Sequence, residues 1–286
     1  MKADSLYVVN MLDGQIQAML IDSTQLAERA RAVHKLPPAA AVAMGKHLSV
    51  SAILGMMVPF DEPLNLSMDG VGPMWRLAAE VKNSGFVRGY ATWPNDHMPG
   101  DGGPLPSGGR LTVFKDLKDG RRFQRQADVA ADEMEKGYVR ILEEHGAGPH
   151  YLSLGAVAEE SVASCAGLLL SLMPGASREA GETLRRIVPA VRDIGRIMER
   201  MNLDEAVERF FGPLHPEVVG ALYTRFFCDC SWRSIAKGLL EELGPALFEC
   251  LIAGEDEHVR TCVYCKKEHR HTGEQAKKLL EEAGFG

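Results

Sequence analysis

The sequence predicts an α+β protein: an N-terminal antiparallel-sheet domain with helices, a helical linker, and a small C-terminal metal-binding domain. Three observations carry this. Up to residue 176, short alternating apolar and polar runs are separated by Gly-, Asp- and Asn-containing turns and interspersed with helical patterns. After Pro174-Gly175 the composition shifts to a dense Arg/Glu amphipathic stretch. Near the C-terminus, Cys228-Asp229-Cys230 and Cys262-Val263-Tyr264-Cys265 form two tight thiol pairs separated by residues 231–261. The expected organisation is therefore a sheet domain over 1–176, a linker over 177–221 and a cysteine domain over 222–286.

The elements follow in order. Ser5–Leu12 and Gln15–Ile21 read as two strands joined at Asp13-Gly14, a dipeptide suited to a type I′ turn. Ser23 or Thr24 is placed to cap a helix running through His34. Pro37-Pro38 then precedes an Ala-rich, largely buried helix over Ala39–Met57. From Pro63 to Pro94 the segments LNLSM, WRLAAEV and FVRGYAT read as an antiparallel meander. A Gly/Pro-rich loop over Pro99–Gly109 leads into a strand at Arg110–Lys115, and Asp128–His145 reads as a helix. Tyr151–Val157 and Val162–Met173 form a further strand pair. Within Ser177–Phe211, Leu184, Ile187, Val191, Ile194, Ile197, Met198 and Met201 lie at helical spacing, but Pro189 and Gly195 interrupt them. Inside a helix these residues cost about 3 and about 1 kcal/mol relative to alanine, so the linker must lean on a neighbouring surface.

Composition excludes several classes. The chain has 286 residues, 45% hydrophobic and 25% charged, as in an ordinary soluble globular protein. Its net charge of −7 opposes a duplex-binding role, which needs cations to displace counterions. Around the cysteines, Ala221–Gly286 also holds more Asp and Glu than Lys and Arg. The N-terminus lacks a signal-peptide pattern, and the apolar runs near Ala39–Met44 and Ala166–Met173 are shorter than a membrane span. Paired thiols without an export signal point to a reducing cytoplasm.

Four thiols in two close pairs suit one tetrahedral metal ion, and zinc accepts four sulfurs at about 2.3 Å. One Zn2+ per chain is expected on Cys228, Cys230, Cys262 and Cys265. A closed four-thiolate site leaves no position for a catalytic water, so its role is structural or regulatory. Arg225, Arg233, Lys266 and Lys267 are available to offset its charge. Residues 228–286 number roughly 60, a size at which burial alone gives marginal stability, and metal binding then decides whether the module folds. Oxidation to disulfides would eject the metal. Cys165 and Cys250, in VASCAGLLL and LFECLIAG, read as buried apolar thiols; His269 and His271 follow the CxxC closely enough to reach a metal but, with four thiolates already available, read as surface residues. Asp69-Gly70-Val71-Gly72-Pro73 reads as a β-turn rather than a phosphate loop. His215-Pro216-Glu217 lacks the partner motif of a zinc deaminase, because Thr261 stands where proline is needed. No residues assemble a catalytic nucleophile and base.

The segments HKLPPAAAVAMGKHL at His34–Leu48, GFVRGYATWP at Gly85–Pro94, GRLTVFKDL at Gly109–Leu117 and SLMPGA at Ser171–Ala176 resemble the heat shock protein 33 family. The FxCxCS pattern at Phe226–Ser231 and the CxYC at Cys262–Cys265 complete the resemblance. It implies a redox-regulated, ATP-independent holdase chaperone of the cytoplasm, not an enzyme, whose zinc ligands are the four cysteines named above. It also implies that oxidation forms a disulfide within each pair, zinc leaves, the linker unfolds, unfolding client proteins bind, and the active form is a homodimer. Charged residues that the family carries after the CxC are replaced by Trp232 and Ser234, and aromatics expected beyond the CxxC by His269 and His271. Arg121–Val129 lacks the family's glycine-containing strand sequence. The alternative is a zinc-ribbon adaptor that binds nucleic acid or a protein constitutively, in its reduced state.

Overall fold

The computed structural model describes residues 3–57, 63–70, 76–82, 85–92, 108–130, 133–144, 148–253 and 257–282. The chain divides into two compact units, Met1–Phe227 and Cys228–Gly286. The loop expected at Pro99–Gly109 and the turn at Val71–Pro73 lie largely outside the described residues.

The first unit opens with strands β1 (Asp4–Met11) and β2 (Ile16–Asp22), paired antiparallel with Val8 opposite Met19. Gln15 N–H donates to Leu12 O at 3.1 Å, and Asp13 and Gly14 have φ of 54° and 80°. These are the two positive φ values that a type I′ turn requires. Helix α1 (Thr24–His34) follows, but the expected hydroxyl cap is absent. Ser23 Oγ instead bonds Ser49 Oγ and the Cys165 carbonyl, while the Asp4 carboxylate accepts from Gln25 N–H at 2.9 Å and Leu26 N–H at 2.6 Å. The helix start is thus satisfied by a side chain from β1.

Helix α2 (Pro38–Met57) runs through the core with most of its side chains buried. By length and composition alone it passes for a membrane span, against the expectation from short apolar runs. Three of its polar side chains are engaged in the interior: Ser49 donates to Gly45 O, Ser51 to His47 O, and His47 Nδ1 lies 2.9 Å from the Tyr138 hydroxyl. The meander is present as β3 (Leu64–Gly70), β4 (Arg76–Lys82) and β5 (Phe86–Thr92), followed by β6 (Gly109–Asp116).

Strand β7 (Arg122–Val129) pairs along the whole of β6, so the helix expected from Asp128 begins only at α3 (Met134–Glu143). Alternation decides this: Ala127 and Val129 are buried while Gln126 and Asp128 project outward in pairs with Thr112 and Arg110. The expected final pair is β8 (His150–Ala158) and β9 (Val162–Leu172).

The linker stretch is three short helices, α4 (Arg178–Ile187), α5 (Ile194–Met198) and α6 (Leu203–Phe211), with a 3-10 turn at Val188–Val191. Ser177, Asp193 and Asn202 cap them, the last in a reciprocal capping box with Glu205. Pro189 therefore lies in a break between helices. The linker expected as helical to residue 221 ends differently, because strand β10 (Glu217–Phe226) occupies its last residues and crosses the boundary expected at 221/222. β10 pairs antiparallel with β1 and, through Arg225–Phe86 and Phe226–Val87, parallel with β5. It joins two half-sheets into one ten-stranded sheet of order β7-β6-β3-β4-β5-β10-β1-β2-β9-β8.

Strands β1, β2 and β9 are apolar on both faces, as strands buried on both sides must be. In β2, Met19 and Ile21 join one core with α1, α2 and α3, whereas Ile16, Ala18 and Leu20 join a second. That second core is closed by Ala180, Leu184, Val191, Ile194, Met198, Leu203, Val207 and Phe211 of the linker stretch. At Gly195 the linker backbone lies directly against the sheet. A Cβ there would come within 2.5 Å of Gly155 C and 2.7 Å of Ala156 N, and Ser164 Oγ donates to Gly195 O at 2.8 Å. Gly195 is thus a docking residue. Alanine there would collide with β8 rather than relieve a helix penalty.

The second unit contains α7 (Trp232–Leu243), α8 (Pro245–Ile252), the hairpin strands β11 (Glu257–Thr261) and β12 (Glu268–Thr272), and α9 (Gly273–Glu282). Among the described residues its core is Ala236, Leu240, Phe248, Ile252 and Ala276, with Trp232 and Leu239 packed against it.

Asp4 gives the first unit a testable pH dependence. It is 3% exposed, and burial, opposed by its two backbone N–H bonds and reinforced by Asp22, pushes its carboxyl up to about 7 from 3.8. The folded chain holds this proton more tightly than the unfolded chain. The associated stability is fully present below about pH 3.8 and is lost as pH rises through about 7. Between those limits the stability of Asp4→Asn should gain on wild type by on the order of 4 kcal/mol, at 1.36 kcal/mol per pKa unit. Denaturant titrations across the range check this; a difference that stays constant with pH contradicts it.

Candidate metal centre

The two cysteine pairs are presented by different local devices. Cys228 and Cys230 immediately precede α7, whose first turn is closed by a reciprocal cap: Ser234 N–H donates to Ser231 Oγ at 3.1 Å, and Ser231 N–H donates to Ser234 Oγ at 2.9 Å. Ser234 is therefore a capping residue. A helix N-terminus favours negative charge, so thiolates placed just before it are stabilised. Cys262 and Cys265 occupy the turn between β11 and β12, where Cys262 N–H donates to Lys267 O and Lys266 N–H to Cys262 O. Lys266 takes φ of 60° to close the turn.

The four Sγ atoms lie within 4.8 Å of one another, with Cys228–Cys262 at 3.7 Å and Cys230–Cys265 at 3.4 Å. Sulfurs about 2.3 Å from a central ion occupy the corners of a tetrahedron with edges of about 3.8 Å, so the set can hold a metal ion. Cys262 is buried and the other three are half-buried. Burial first, then the neighbouring Cys265, Cys262 and Cys228 thiols, push Cys230 above the ordinary thiol range. Burial also opposes ionisation of Cys262, but the Cys265 and Tyr264 backbone N–H groups, with the Cys230 and Cys228 thiols, bring it below that range. Crowded thiolates repel one another, and a bound dication is what allows all four to ionise together.

Other expectations for this region divide. Cys165 is buried as expected, but Cys250 is exposed, because α8 turns Phe248 and Ile252 inward and Cys250 outward. His271 is not a surface residue. It is 5% exposed, stacks on Trp232 with ring centroids 5.4 Å apart, and its Nδ1 lies 3.1 Å from the His258 carbonyl. His269 is half-buried, with Nε2 3.2 Å from Cys230 Sγ. The strand alternation that sets both inward was legible in EHRHT only once β12 was known to be a strand. Of the four cations expected to offset the thiolates, Arg233 pairs with Glu282, and Arg225 lies over the Phe86 and Phe227 rings of the first unit.

Comparison with known proteins agrees with this construction. The Hsp33 protein family model matches residues 4–272. The 33 kDa chaperonin of Staphylococcus carnosus is 24% identical over 96% of this chain and 98% of its own, and that of Staphylococcus aureus strain JH9 is 24% identical with the same coverage. The crystal structure of the 33 kDa chaperonin (heat shock protein 33 homolog) of Thermotoga maritima superposes with a TM-score of 0.81 at 21% identity, over all of both chains. With one family model spanning both compact units and relatives matched nearly end to end, the chain belongs to the Hsp33 family of chaperones, with a C-terminal cysteine cluster able to bind a metal.

Proposed function

We propose that this protein is a redox-regulated, ATP-independent holdase that acts in the cytoplasm without catalysing a reaction. The observation that carries the reading is the convergence of Cys228, Cys230, Cys262 and Cys265 on one point. In the reduced state they hold one Zn2+, which neutralises the crowded thiolates and ties the α7 start to the β11–β12 turn. A unit of this length gains only marginal stability from burial alone, so its stability depends heavily on that tie. Peroxide takes two electrons from each thiolate pair and is reduced to water, leaving disulfides that no longer supply the ligand set. Pairing within each motif, Cys228 with Cys230 and Cys262 with Cys265, is proposed on the family resemblance. Mass spectrometry of unreduced peptides separates it from the cross-motif pairing that the 3.4 and 3.7 Å approaches also permit.

The effector is the metastable linker. The linker helices span only 10, 5 and 9 residues, and isolated helices shorter than about 12 residues are marginal in water. They persist because Leu184, Val191, Ile194 and Phe211 are buried against β1, β2 and β9. Their release uncovers an apolar sheet face of the kind an unfolding client binds. The active form is proposed to be a homodimer that recognises unfolded proteins and not nucleic acid.

The test measures zinc content, free thiols and suppression of a model client's aggregation, before and after peroxide or hypochlorite. One zinc per chain, lost with the four thiols as activity appears, is expected. Cys228→Ser should abolish zinc binding while Cys165→Ser and Cys250→Ser retain it; the reverse pattern overturns the ligand set. Equal client binding by the reduced, zinc-loaded protein would mark a constitutive adaptor.

The Gly155–Gly195 contact supplies an independent test of the linker. Gly155→Ala places a Cβ 2.7 Å from Gly195 Cα, and Gly195→Ala makes the reciprocal collision. Overpacking of this kind costs roughly 1–3 kcal/mol, concentrated where the linker docks. Either variant should suppress client aggregation while still reduced and zinc-loaded, and its residues 178–211 should exchange amide hydrogens faster. Reduced variants as silent as wild type would show that undocking is not the activating step.

A further inference from the structure

His269 Nε2 lies 3.2 Å from Cys230 Sγ at the cysteine cluster, and its position is fixed from two directions. On one side, β12 is registered against β11 with Arg260 opposite His269 and His258 opposite His271. Two residues along the same strand face, His271 is pinned by its stack on Trp232 and its contact with the His258 carbonyl. On the other side, Cys230 is held by the Ser231–Ser234 cap that begins one residue later. Between these anchors His269 Nε2 stands 3.2 Å from Cys230 Sγ, a sulfur that is also 3.4 Å from Cys265 Sγ. A side chain free to choose among surface conformations has no reason to meet that sulfur; one carried on a paired strand beside a pinned ring does.

We propose that His269 is a positioning residue for the metal site, donating its Nε2–H to the Cys230 thiolate while the four sulfurs share the ion. The inference rests on the zinc-site reading above and adds a group outside the ligand set. A hydrogen bond to a ligating sulfur orients that sulfur toward the ion and spreads its charge, and outer groups of this kind contribute strongly to metal affinity. Cys230 is the sulfur this ring reaches, and the same sulfur stands 3.4 Å from Cys265 Sγ, so orienting it orients a neighbouring pair.

The test uses the full-length reduced protein. His269→Phe should weaken zinc binding by about 10- to 100-fold in competition with a chromophoric chelator. His269→Gln, which keeps an N–H donor at similar reach, should restore most of the loss. Cobalt(II) substituted into the wild type should show a four-thiolate spectrum, with the sulfur-to-metal bands shifted in His269→Phe and returned in His269→Gln. Unchanged affinity in His269→Phe overturns the proposal, as does a wild-type cobalt spectrum with a nitrogen ligand, which would make His269 a ligand in place of a cysteine. Failure of the underlying reading looks different: the wild type would bind no zinc, or Cys228→Ser would bind it undiminished.

Discussion

The central constraint on this molecule is that β1, β2 and β9 are apolar on both faces. One face is closed by α1, α2 and α3, which are long or deeply buried and sit in the larger core. The other can only be closed by what the chain supplies next, and that is a set of short helices broken by Pro189 and brought to the sheet at Gly195. A sheet covered securely on one side and weakly on the other has a built-in direction of failure. Under the function proposed above, loss of the weak cover leaves the sheet, its hydrogen bonds and the larger core in place while presenting an apolar surface. This is the requirement for a protein that must bind unfolding chains without unfolding itself.

The cysteine unit is short, a size at which burial alone gives marginal stability, and four sulfurs within 4.8 Å of one another offer a cross-link that a bound metal would complete under the function proposed above. Thiolates crowded this closely are stable together only around a cation, and under the function proposed above that makes the unit depend on a set of sulfurs that an oxidant can dismantle. The helix start at α7 and the tight turn at Lys266 each deliver two sulfurs from local geometry alone. Strand β10 ends at Phe226, two residues before the first of those sulfurs, so the chain passes from the sheet directly into the ligand set.

What was legible in the sequence was what is local. The β1–β2 hairpin, the buried α2, the meander and the paired cysteines each carry their signal within a few residues, through turn dipeptides, periodicity or spacing. What was missed depends on partners far along the chain. β10 pairs with β1 from the opposite end of the first unit, and its ten residues were divided between a supposed linker and a supposed zinc domain. The cap of α1 comes from Asp4 on another strand rather than from the adjacent hydroxyls. Gly195 reads as a helix-weakening residue by propensity, yet its lack of a side chain is what lets α5 touch β8. His269 and His271 looked like surface residues because short polar strands carry no apolar alternation to betray which face is inward. The cysteine quartet was the clearest feature because metal ligation leaves both residue type and spacing in the sequence.

The proposed mechanism requires that disulfide formation frees residues 178–211 and leaves the sheet intact. Hydrogen–deuterium exchange of the full chain, followed by mass spectrometry in the reduced zinc-loaded state and after hypochlorite, tests it most directly. Peptides covering 178–211 and 228–282 should lose protection together on oxidation, while β2, β9 and α2 keep theirs. Retained protection across 178–211 in an oxidised, zinc-free and client-binding protein would contradict the account.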